Sequence, residues 1–449
     1  MTTESPSAWR DLWRLSWPVA LSMLATMSMG LVDLMMLGRI GAEALASLSL
    51  SITWWVAVGV FSRNICRGLE PFVSQAFGAE RHDEVRNWLL QGLYTTALWI
   101  PPYFVLMIFA STGLRLLGQP EELMANVELY CRVLALAIPF EVTFFTIRQW
   151  LQNQHHVRQA LVAIVIANVL NIVFNYLLIF TFDFGIVGCA LATLLCQGLQ
   201  LAILVGLCWR SHLQAIWQGS LRPVWSQITL MTRYSVPAAA LLSIEAWGFV
   251  AASIMVGWLG ATALAAHSIG LNIVSTSFMV VLGLSTAAAT LVGNAVGAQR
   301  AWMPLVWRAL GLMGGIQIPM AILLWCFPEF FASIFTTDPA VIELSIIVLR
   351  IGALFQFCDG VQVMLFAVTR AIGDVKWPFW AGLIAHWCIG LPLAYWLGEV
   401  QGGGIAGVWN GLLAALICAS VFVSFRIWWL SRKPIEELSQ MLSQSAQAH

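Results

Sequence analysis

Five acidic residues lie within long stretches of the sequence that are otherwise almost free of charge. These residues are Asp33, Glu70, Glu141, Glu245 and Asp359. A carboxyl group that is removed from water favours its neutral form, and nearby charges shift that preference in either direction. Such groups are suited to taking up and releasing a proton or to binding a cation, and these are the two kinds of chemistry that the sequence offers.

Asp33 is matched by three asparagines on a different apolar stretch. Asn168, Asn171 and Asn175 are separated by three and four residues, so a helix places their amides on one face. Counted by helical rise from the ends of the two stretches, Asn175 lies at about the depth of Asp33. We predict that Asp33 exchanges a proton or binds a cation beside these amides. The alternative is a purely structural hydrogen bond between the two helices.

Glu245 and Asp359 form a second candidate site. Each lies near the middle of its own apolar stretch, at a similar depth. Two carboxylates at one level can share a proton or hold a cation between them, unless each is satisfied separately. Glu141 is a further candidate, which either lines a substrate cavity or pairs with Arg148, seven residues later.

The stretches that carry these acids indicate a polytopic membrane protein. Of 449 residues, 60% are hydrophobic and only 10% are charged, whereas about a quarter of residues are charged in soluble domains. We count twelve apolar stretches, each of about 20 residues and therefore long enough to cross a hydrocarbon core of roughly 30 Å. An ionised side chain at the bilayer centre costs about 2.5–3.5 kcal/mol, so each such acid is a functional candidate. The sequence predicts an all-α fold of twelve transmembrane helices.

The distribution of basic residues predicts the orientation of these helices. Arginine and lysine are concentrated on the two tails and on the even-numbered loops. The positive-inside rule then places both termini in the cytoplasm, in a multi-pass protein of the cytoplasmic (inner) membrane. The nine cysteines lie inside predicted helices without a CxxC pair, so we expect them to form neither a disulfide framework nor a metal site.

An internal repeat covers almost the whole sequence. GAEALAS at 41–47 aligns with GATALAA at 260–266, and QAFGAER at 75–81 aligns with NAVGAQR at 294–300, both at an offset of 219 residues. Each copy has six helices, so we expect two six-helix lobes related by a pseudo-twofold axis along the membrane normal. The predicted division is an N-terminal lobe at 1–209, a cytoplasmic linker at 210–226, a C-terminal lobe at 227–431 and a cytoplasmic tail at 432–449.

Two lobes around a cleft at the membrane midplane are typical of a secondary transporter that works by alternating access. The repeat equivalent of Asp33 is Ala252, so this acid belongs to one lobe only. The sequence contains no Walker A motif, which argues against ATP-driven transport by this chain. It also lacks a nucleophile or metal constellation, so we expect no enzymatic activity.

Four motifs resemble those of the multidrug and toxic compound extrusion (MATE) transporters, and in particular their NorM-like branch. The motifs are GLVDLMMLGRIG at 30–41, QAFGAER at 75–81, AAHSIGLNI at 265–273 and CDGVQV at 358–363. The resemblance covers the entire chain. It implies twelve helices in two lobes that form a V, and export of bulky, often cationic, organic compounds in exchange for inward protons or sodium ions.

The resemblance also implies roles for single residues of the first lobe. Asp33 matches the aspartate of helix 1 in the family. Asn171, Asn175 and, in helix 6, Thr193 are then its companions in an ion-coupling site for protons or sodium. Some relatives have an aspartate where this chain has Asn175.

In the second lobe, Glu245 and Asp359 match acids of the NorM-like branch, which implies a further ion-coupling site with sodium as one candidate ion. Phe355 stands where that branch has a tyrosine, so a hydroxyl that could bind a cation is missing. This departure weakens the case for sodium. The candidates for the substrate cavity are Glu141, Asn168 and Phe355.

We therefore expect a secondary active multidrug efflux antiporter driven by protons or sodium ions. The alternative is a flippase or exporter of lipid-linked oligosaccharide or lipid, in which Arg63, Arg67 and Arg148 would contact phosphates. The expected partners are small, polyspecific organic substrates and the lipid bilayer, without nucleic acid. We expect a monomer that needs no cofactor other than its coupling ion.

Overall fold

The computed structural model describes residues 7–214 and 222–447, and all regular secondary structure in these ranges is helical. The helices of the first range are α1 (Ser7–Leu37), α2 (Ala42–Asn64), α3 (Glu70–Gly78), α4 (His82–Ala97), α5 (Ile100–Ile108), α6 (Ala110–Leu116), α7 (Glu121–Ala135), α8 (Ile138–Gln152), α9 (Arg158–Asn175) and α10 (Gly185–Cys208). Those of the second range are α11 (Trp225–Trp258), α12 (Ala261–Gly297), α13 (Met303–Cys326), α14 (Pro328–Ser333), α15 (Pro339–Ile372), α16 (Lys376–Leu383), α17 (Leu391–Tyr395), α18 (Gly404–Ser431) and α19 (Ile435–Gln447).

Short segments of other helix types join some of these α-helices. A 3₁₀-helix covers Ile65–Leu69, and π-helices cover Tyr176–Thr181, Trp209–Leu213, Ile384–Gly390 and Trp396–Val400. The π-helix after α9 and those around α17 lie within apolar spans, so each of these spans is continuous but locally wider. Wide turns of this kind are frequent at functional sites.

The number of spans agrees with the sequence. In the described part of the chain, ten helical segments are long and apolar enough to cross a membrane, and two further pairs of helices are bent. The bends are 60° between His82–Ile108 and Ala110–Leu116 and 48° between Glu121–Ala135 and Ile138–Gln152. Pro139, in the first turn of α8, accounts for the second bend because proline lacks an N–H and clashes with the preceding turn. Counting each bent pair as one span confirms the prediction of twelve transmembrane helices.

The chain packs into two compact units. One comprises the residues up to Ala20 together with Ala240–Gln444, and the other comprises Leu21–Ala239 together with the residues from Ser445 onward. Both boundaries lie two residues after a proline inside a helix, Pro18 in α1 and Pro237 in α11. Helices α1 and α11 therefore each contribute residues to both units.

The lobe limits predicted from the repeat, 1–209 and 227–431, do not include this exchange. Residues 215–221 of the predicted linker lie outside the described residues. The predicted tail at 432–449 contains helix α19, and Leu438 of this helix is fully buried in an apolar cluster with Ile427 and Leu430. The part of α19 around Leu438 therefore packs on the unit that contains Ala240–Gln444.

The two copies of the repeat also share their packing. Gly188 lies so close to the backbone of Leu178 that an added Cβ would be 2.7 Å from its carbonyl oxygen. The equivalent glycine, Gly407, would place a Cβ 2.4 Å from the carbonyl oxygen of Leu397. Leu178 and Leu397 are themselves equivalent in the repeat. Only glycine allows the two backbones to approach this closely, so both copies use it at the same contact.

Each unit has its own apolar core. Leu37, Met107 and Leu134 are buried together in the unit formed by Leu21–Ala239. Val256, the repeat equivalent of Leu37, is fully buried in the core of the other unit. Burial of these apolar side chains positions the polar residues of α1, α9, α10, α11 and α15 that are described next.

Candidate functional site

Three helices of the unit Leu21–Ala239 carry the first candidate site. Asp33 lies in the last turns of α1, Asn171 and Asn175 lie at the end of α9, and Thr193 lies in α10. Asn175 is the last residue before the π-helix that continues α9. The asparagines share one helix face because they are four residues apart, and this face meets α1.

The structure brings Asp33, Asn171, Asn175 and Thr193 together by hydrogen bonds. Asn175 Nδ2 donates to Asp33 Oδ1 at 2.6 Å, and Thr193 Oγ1 donates to Asp33 Oδ2 at 3.2 Å. The same Nδ2 also donates to Asn171 Oδ1 at 3.1 Å. All four side chains are buried, with 3% exposure or less. Each carboxylate oxygen of Asp33 thus accepts a bond from a neutral side chain.

No basic side chain of the described residues forms an ion pair with Asp33. Its charge is therefore stabilised only by neutral donors, which compensate for lost hydration less fully than a cation would. Two polar atoms beside it, Asn171 Nδ2 and Asn175 Oδ1, are buried without a hydrogen-bond partner. The site thus holds a spare donor and a spare acceptor within reach of a group that can gain a proton.

The second candidate site lies in the other unit, between α11 and α15. Gln362 Nε2 donates to Glu245 Oε1 at 2.7 Å, and Asp359 is close enough to Glu245 for their charges to interact. All three side chains are buried. Asp359 Oδ1 and Gln362 Oε1 have no hydrogen-bond partner. Two acids and an amide therefore converge here, with two buried oxygens left to bind a proton or a cation.

The other residue of α15 expected near this site lies in an apolar environment. The Phe355 ring is buried, with its centroid 5.9 Å from that of Phe249 and 5.5 Å from that of Trp409. It supplies no oxygen to the two acids. One turn from Asp359, Gln356 is buried with neither amide atom hydrogen-bonded.

The structure excludes one of the two alternatives for Glu141, its pairing with Arg148. Oε1 of Glu141 lies 3.5 Å from Nη1 of Arg63, whose guanidinium also stacks over the Trp55 ring at 4.7 Å. Arg148 instead donates to Ser22 Oγ at 3.1 Å. The predicted pair of Glu141 with Arg148 is wrong because seven residues separate the two by roughly 10 Å along the helix, and each has a nearer partner on another element.

Asn168 is separate from the Asp33 cluster. Its Nδ2 donates to the carbonyl of Ala25 and, at 3.1 Å, to Ser28 Oγ, so it joins α9 to the middle of α1. Asn168 Oδ1 has no hydrogen-bond partner. It is half-buried, whereas Asn171 and Asn175 are fully enclosed.

The sequence interpretation did not include Arg63, Gln356 or Gln362 in these sites. The two glutamines are three residues before and three residues after Asp359, a spacing that places side chains on adjacent parts of one helix face. That spacing was a usable signal. No such signal exists for Arg63 and Glu141, which are far apart in the sequence. In the described ranges no three histidine, cysteine or carboxylate side chains are arranged to hold a metal ion.

Comparison of the sequence with known proteins identifies relatives along its whole length. The MatE family model matches residues 18–177 and 237–396, one segment in each copy of the repeat. A probable multidrug resistance protein NorM of Pseudomonas putida is 30% identical over 443 residues, which are 94% of this chain and 95% of the relative. The multidrug resistance protein NorM of Vibrio cholerae is 27% identical over 438 residues, 94% of this chain and 96% of the relative.

Solved structures share the fold. The eukaryotic MATE transporter AtDTX14 superposes with a TM-score of 0.90 at 18% identity, over 98% of this chain and 99% of that one. The Vibrio cholerae MATE transporter VcmN has a TM-score of 0.85 at 21% identity, over 96% and 98%. The family predicted from the four motifs is confirmed. This chain belongs to the MatE family, and it is a multi-pass membrane transporter.

Proposed function

We propose that this protein exports organic compounds, often cationic ones, in exchange for protons or sodium ions. Relatives that are named multidrug resistance proteins support the export function. One observation carries the ion coupling: Asp33 is enclosed within a membrane span by the neutral donors of Asn175 and Thr193. A carboxylate in this position changes its charge and its hydrogen bonds when a cation or proton arrives, and so can respond to an ion gradient.

The hydrogen bonds of Asp33 define what a proton would change. In the charged form both oxygens accept, one from Asn175 and one from Thr193. A proton on Oδ1 of Asp33 turns that oxygen into a donor, which then faces the amide N–H of Asn175. Rotation of the Asn175 amide would present its own Oδ1 atom, which has no hydrogen-bond partner, to the new O–H of Asp33. The bond from Asn175 to Asn171 would break, and the bond between Asp33 and Asn175 would reverse its direction, so protonation alters how α1 and α9 are joined.

This rearrangement provides the energetic link that coupling requires. An ion shifts a conformational equilibrium only if it binds the two states with unequal affinity. Each net hydrogen bond gained or lost at a charged group is worth roughly 1.5–3 kcal/mol, about one to two powers of ten in an equilibrium constant. The exchange of bonds around Asp33 is large enough to bias the protein between inward-open and outward-open states.

The Glu245 and Asp359 pair is proposed as a second ion-binding position. Two acids in one buried site favour a shared proton, because like charges oppose full ionisation of both. The unpartnered oxygens of Asp359 and Gln362 are also suitable ligands for a hard cation such as sodium. Phe355 adds no ligand. We propose that this pair responds to the same gradient as Asp33.

Further parts of the proposal concern substrates and placement. The substrates are small organic molecules of varied structure, and the transporter acts as a monomer in the cytoplasmic membrane with both termini in the cytoplasm. The coupling ion is the only additional component, and no catalysis is involved. Glu141, Asn168 and Phe355 remain candidates for the substrate cavity.

The flippase alternative loses support from the arginines that favoured it. Arg63 is paired with Glu141, and Arg148 is buried with its guanidinium donating to Ser22. Neither is free to contact the phosphates of a lipid-linked sugar. None of the relatives reported above is named as a flippase.

The test is substrate export by purified protein in liposomes, with proton and sodium gradients imposed separately. The variants Asp33→Asn, Glu245→Gln and Asp359→Asn each replace one carboxyl group by an amide with little change of shape, so that the group can no longer bind a proton or a cation. We expect Asp33→Asn to abolish gradient-driven export of a cationic dye and the other two to reduce it. Glu122→Gln, a change of an exposed acid in α7, is the matched control and should export like the wild type.

Three results would contradict parts of this proposal. Normal export by all three variants would exclude ion coupling at these acids. Loss of export in Glu122→Gln would show that the assay reports charge or folding in general. Export by the wild type without either gradient, at the same rate as with one, would exclude secondary active transport. The gradient that drives the wild type identifies the coupling ion.

A further inference from the structure

An apolar groove runs along one face of α15, with α13 and α18 as its walls. We call it the α15 groove. Its volume is about 480 Å³, which falls within the range of roughly 300–1,000 Å³ typical of pockets for small ligands. The exposed side chains that line it include Ile318, Ile322, Leu354, Phe357 and Ile417. The groove belongs entirely to the unit that contains Ala240–Gln444.

One end of the α15 groove is polar. A smaller cavity of about 260 Å³ adjoins it and shares Trp325, Leu354 and Leu413 with it. This cavity adds Arg350 and Asn410, both of which are exposed. Arg350 forms no ion pair with any described residue. A free guanidinium and an amide therefore adjoin a long apolar surface.

The polar end lies where the groove reaches the end of a span. Trp325 is half exposed and is the residue before Cys326, at which α13 ends. Tryptophan is enriched at the level of the lipid headgroups. Arg350 lies eleven residues, roughly 16 Å, after the start of α15, and the long side chain of an arginine can extend toward the same level. From Trp325 the apolar wall continues back along α13 to Ile318, seven residues or roughly 10 Å toward the membrane interior.

We propose that the α15 groove binds an anionic phospholipid of the bilayer, with its phosphate on Arg350 and Asn410 and an acyl chain along Leu354 and Phe357. Arginine recognises phosphate through paired N–H donors, and an asparagine amide adds a further donor. The apolar wall below them matches a hydrocarbon chain in both polarity and depth. The bound lipid would cover the exposed apolar side chains of the groove. The contact between its phosphate and Arg350 would hold the lipid in place.

Charge separates this occupant from the transported compounds. Arg350 repels the cationic compounds proposed as substrates, while it attracts a phosphate. No acidic side chain contributes to the lining of either cavity. Glu343, on the same face of α15, lies two turns closer to the start of the helix, beyond the lining of both cavities. The inference does not depend on the proposed export function, because it concerns lipid retention and not transport.

The experiment is native mass spectrometry of the full chain in micelles that contain equal amounts of phosphatidylglycerol and phosphatidylethanolamine. Arg350→Gln should retain phosphatidylglycerol about fivefold less well, the loss of one charge contact worth about 1 kcal/mol. Leu354→Trp should displace it by filling the groove. The controls Arg39→Gln and Val105→Trp make the same changes at exposed positions of the other unit and should leave lipid retention unchanged.

Several outcomes would overturn the proposal. Unchanged retention of phosphatidylglycerol in both Arg350→Gln and Leu354→Trp would exclude the site. Equal retention of the two lipids by the wild type would exclude recognition of anionic charge. If a transported dye displaces phosphatidylglycerol from the wild type in the same micelles, the groove is a substrate pocket. If Leu354→Trp changes the oligomeric state, a second copy of the chain occupies it. Because the changed side chains are exposed, thermal unfolding should stay close to that of the wild type.

Discussion

The contribution of the buried ion pair of Arg63 and Glu141 to the stability of the protein can be tested quantitatively. The two charged atoms are 3.5 Å apart, with side-chain exposures of 18% and 3%. At an effective dielectric constant of about 20, two unit charges at this distance attract each other by about 5 kcal/mol. Part of this energy offsets the cost of removing both groups from water. Replacing only one partner leaves an uncompensated charge, so we expect Glu141→Met to lower the free energy of unfolding by about 3–5 kcal/mol.

The double variant Arg63→Met/Glu141→Met should lose much less unfolding free energy than the sum of the losses in the two single variants. Both charges are then absent, and methionine fills the space with apolar atoms, a change that is often close to neutral. The variant still loses the stacking of Arg63 on Trp55, worth about 0.5–2 kcal/mol, so we do not expect full recovery. The coupling energy, taken from the four unfolding free energies, should exceed about 1 kcal/mol.

The assay is denaturant unfolding in mixed micelles, together with dye export from liposomes. A coupling energy below about 0.5 kcal/mol would show that Arg63 and Glu141 act independently and would refute the reasoning. Export then decides whether Glu141 belongs to the substrate cavity. If the pair is structural, the double variant exports at a rate close to that of the wild type. A stable double variant that no longer binds substrate would instead assign Glu141 to the cavity.

Three further predictions concern single residues. Thr193→Val removes one hydrogen bond to Asp33 and should lower ion-driven export about fivefold, the effect of about 1 kcal/mol, whereas Thr193→Ser should retain it. Gly407→Ala should reduce the free energy of unfolding by about 1–3 kcal/mol because its Cβ would overlap neighbouring backbone, whereas Gly198→Ala, with nothing within 4 Å, should be neutral or stabilising. Burial lowers the pKa of His156 below its ordinary 6.5, so the unfolded chain binds a proton there more readily. Unfolding of His156→Gln should match the wild type above pH 6.5, while the wild type becomes relatively less stable as the pH falls further. A constant difference across this range would contradict the effect of burial.

The spans were predictable because their signal is strong and local. Apolar runs and the repeat determine the number of helices, and Gly188 and Gly407 occupy equivalent contacts in the two copies. The bend before α8 could have been read from Pro139. The π-helices after Asn175 and around α17 could not, because a single widened turn has no distinctive residue pattern. Assignment of the first turns of α1 to the other unit depends on contacts between residues more than 200 positions apart.

The sites divide in the same way. The amide face of α9 follows from residue spacing, and Thr193 follows from the resemblance to the family. The structure places Asn171, Asn175 and Thr193 around Asp33. The partner of Glu141 could not be predicted, because the sequence of one helix does not show which residue of another helix approaches it. The roles of these residues in ion coupling stay predictions until export is measured.

The exchange of helix segments has a consequence for biosynthesis. The residues up to Ala20 belong to the unit that otherwise begins at Ala240, and Leu12 is fully buried in a cluster with Val281 and Leu284. Ribosomes add about 5–20 residues per second, so the 220 positions between Ala20 and Ala240 take roughly 10–45 s to synthesise. During that time the first segment of the nascent chain has been translated, but its packing partners have not. Residues 7–20 therefore remain in the membrane or bound to an insertion factor, and they can form their native contacts only after most of the chain has left the ribosome.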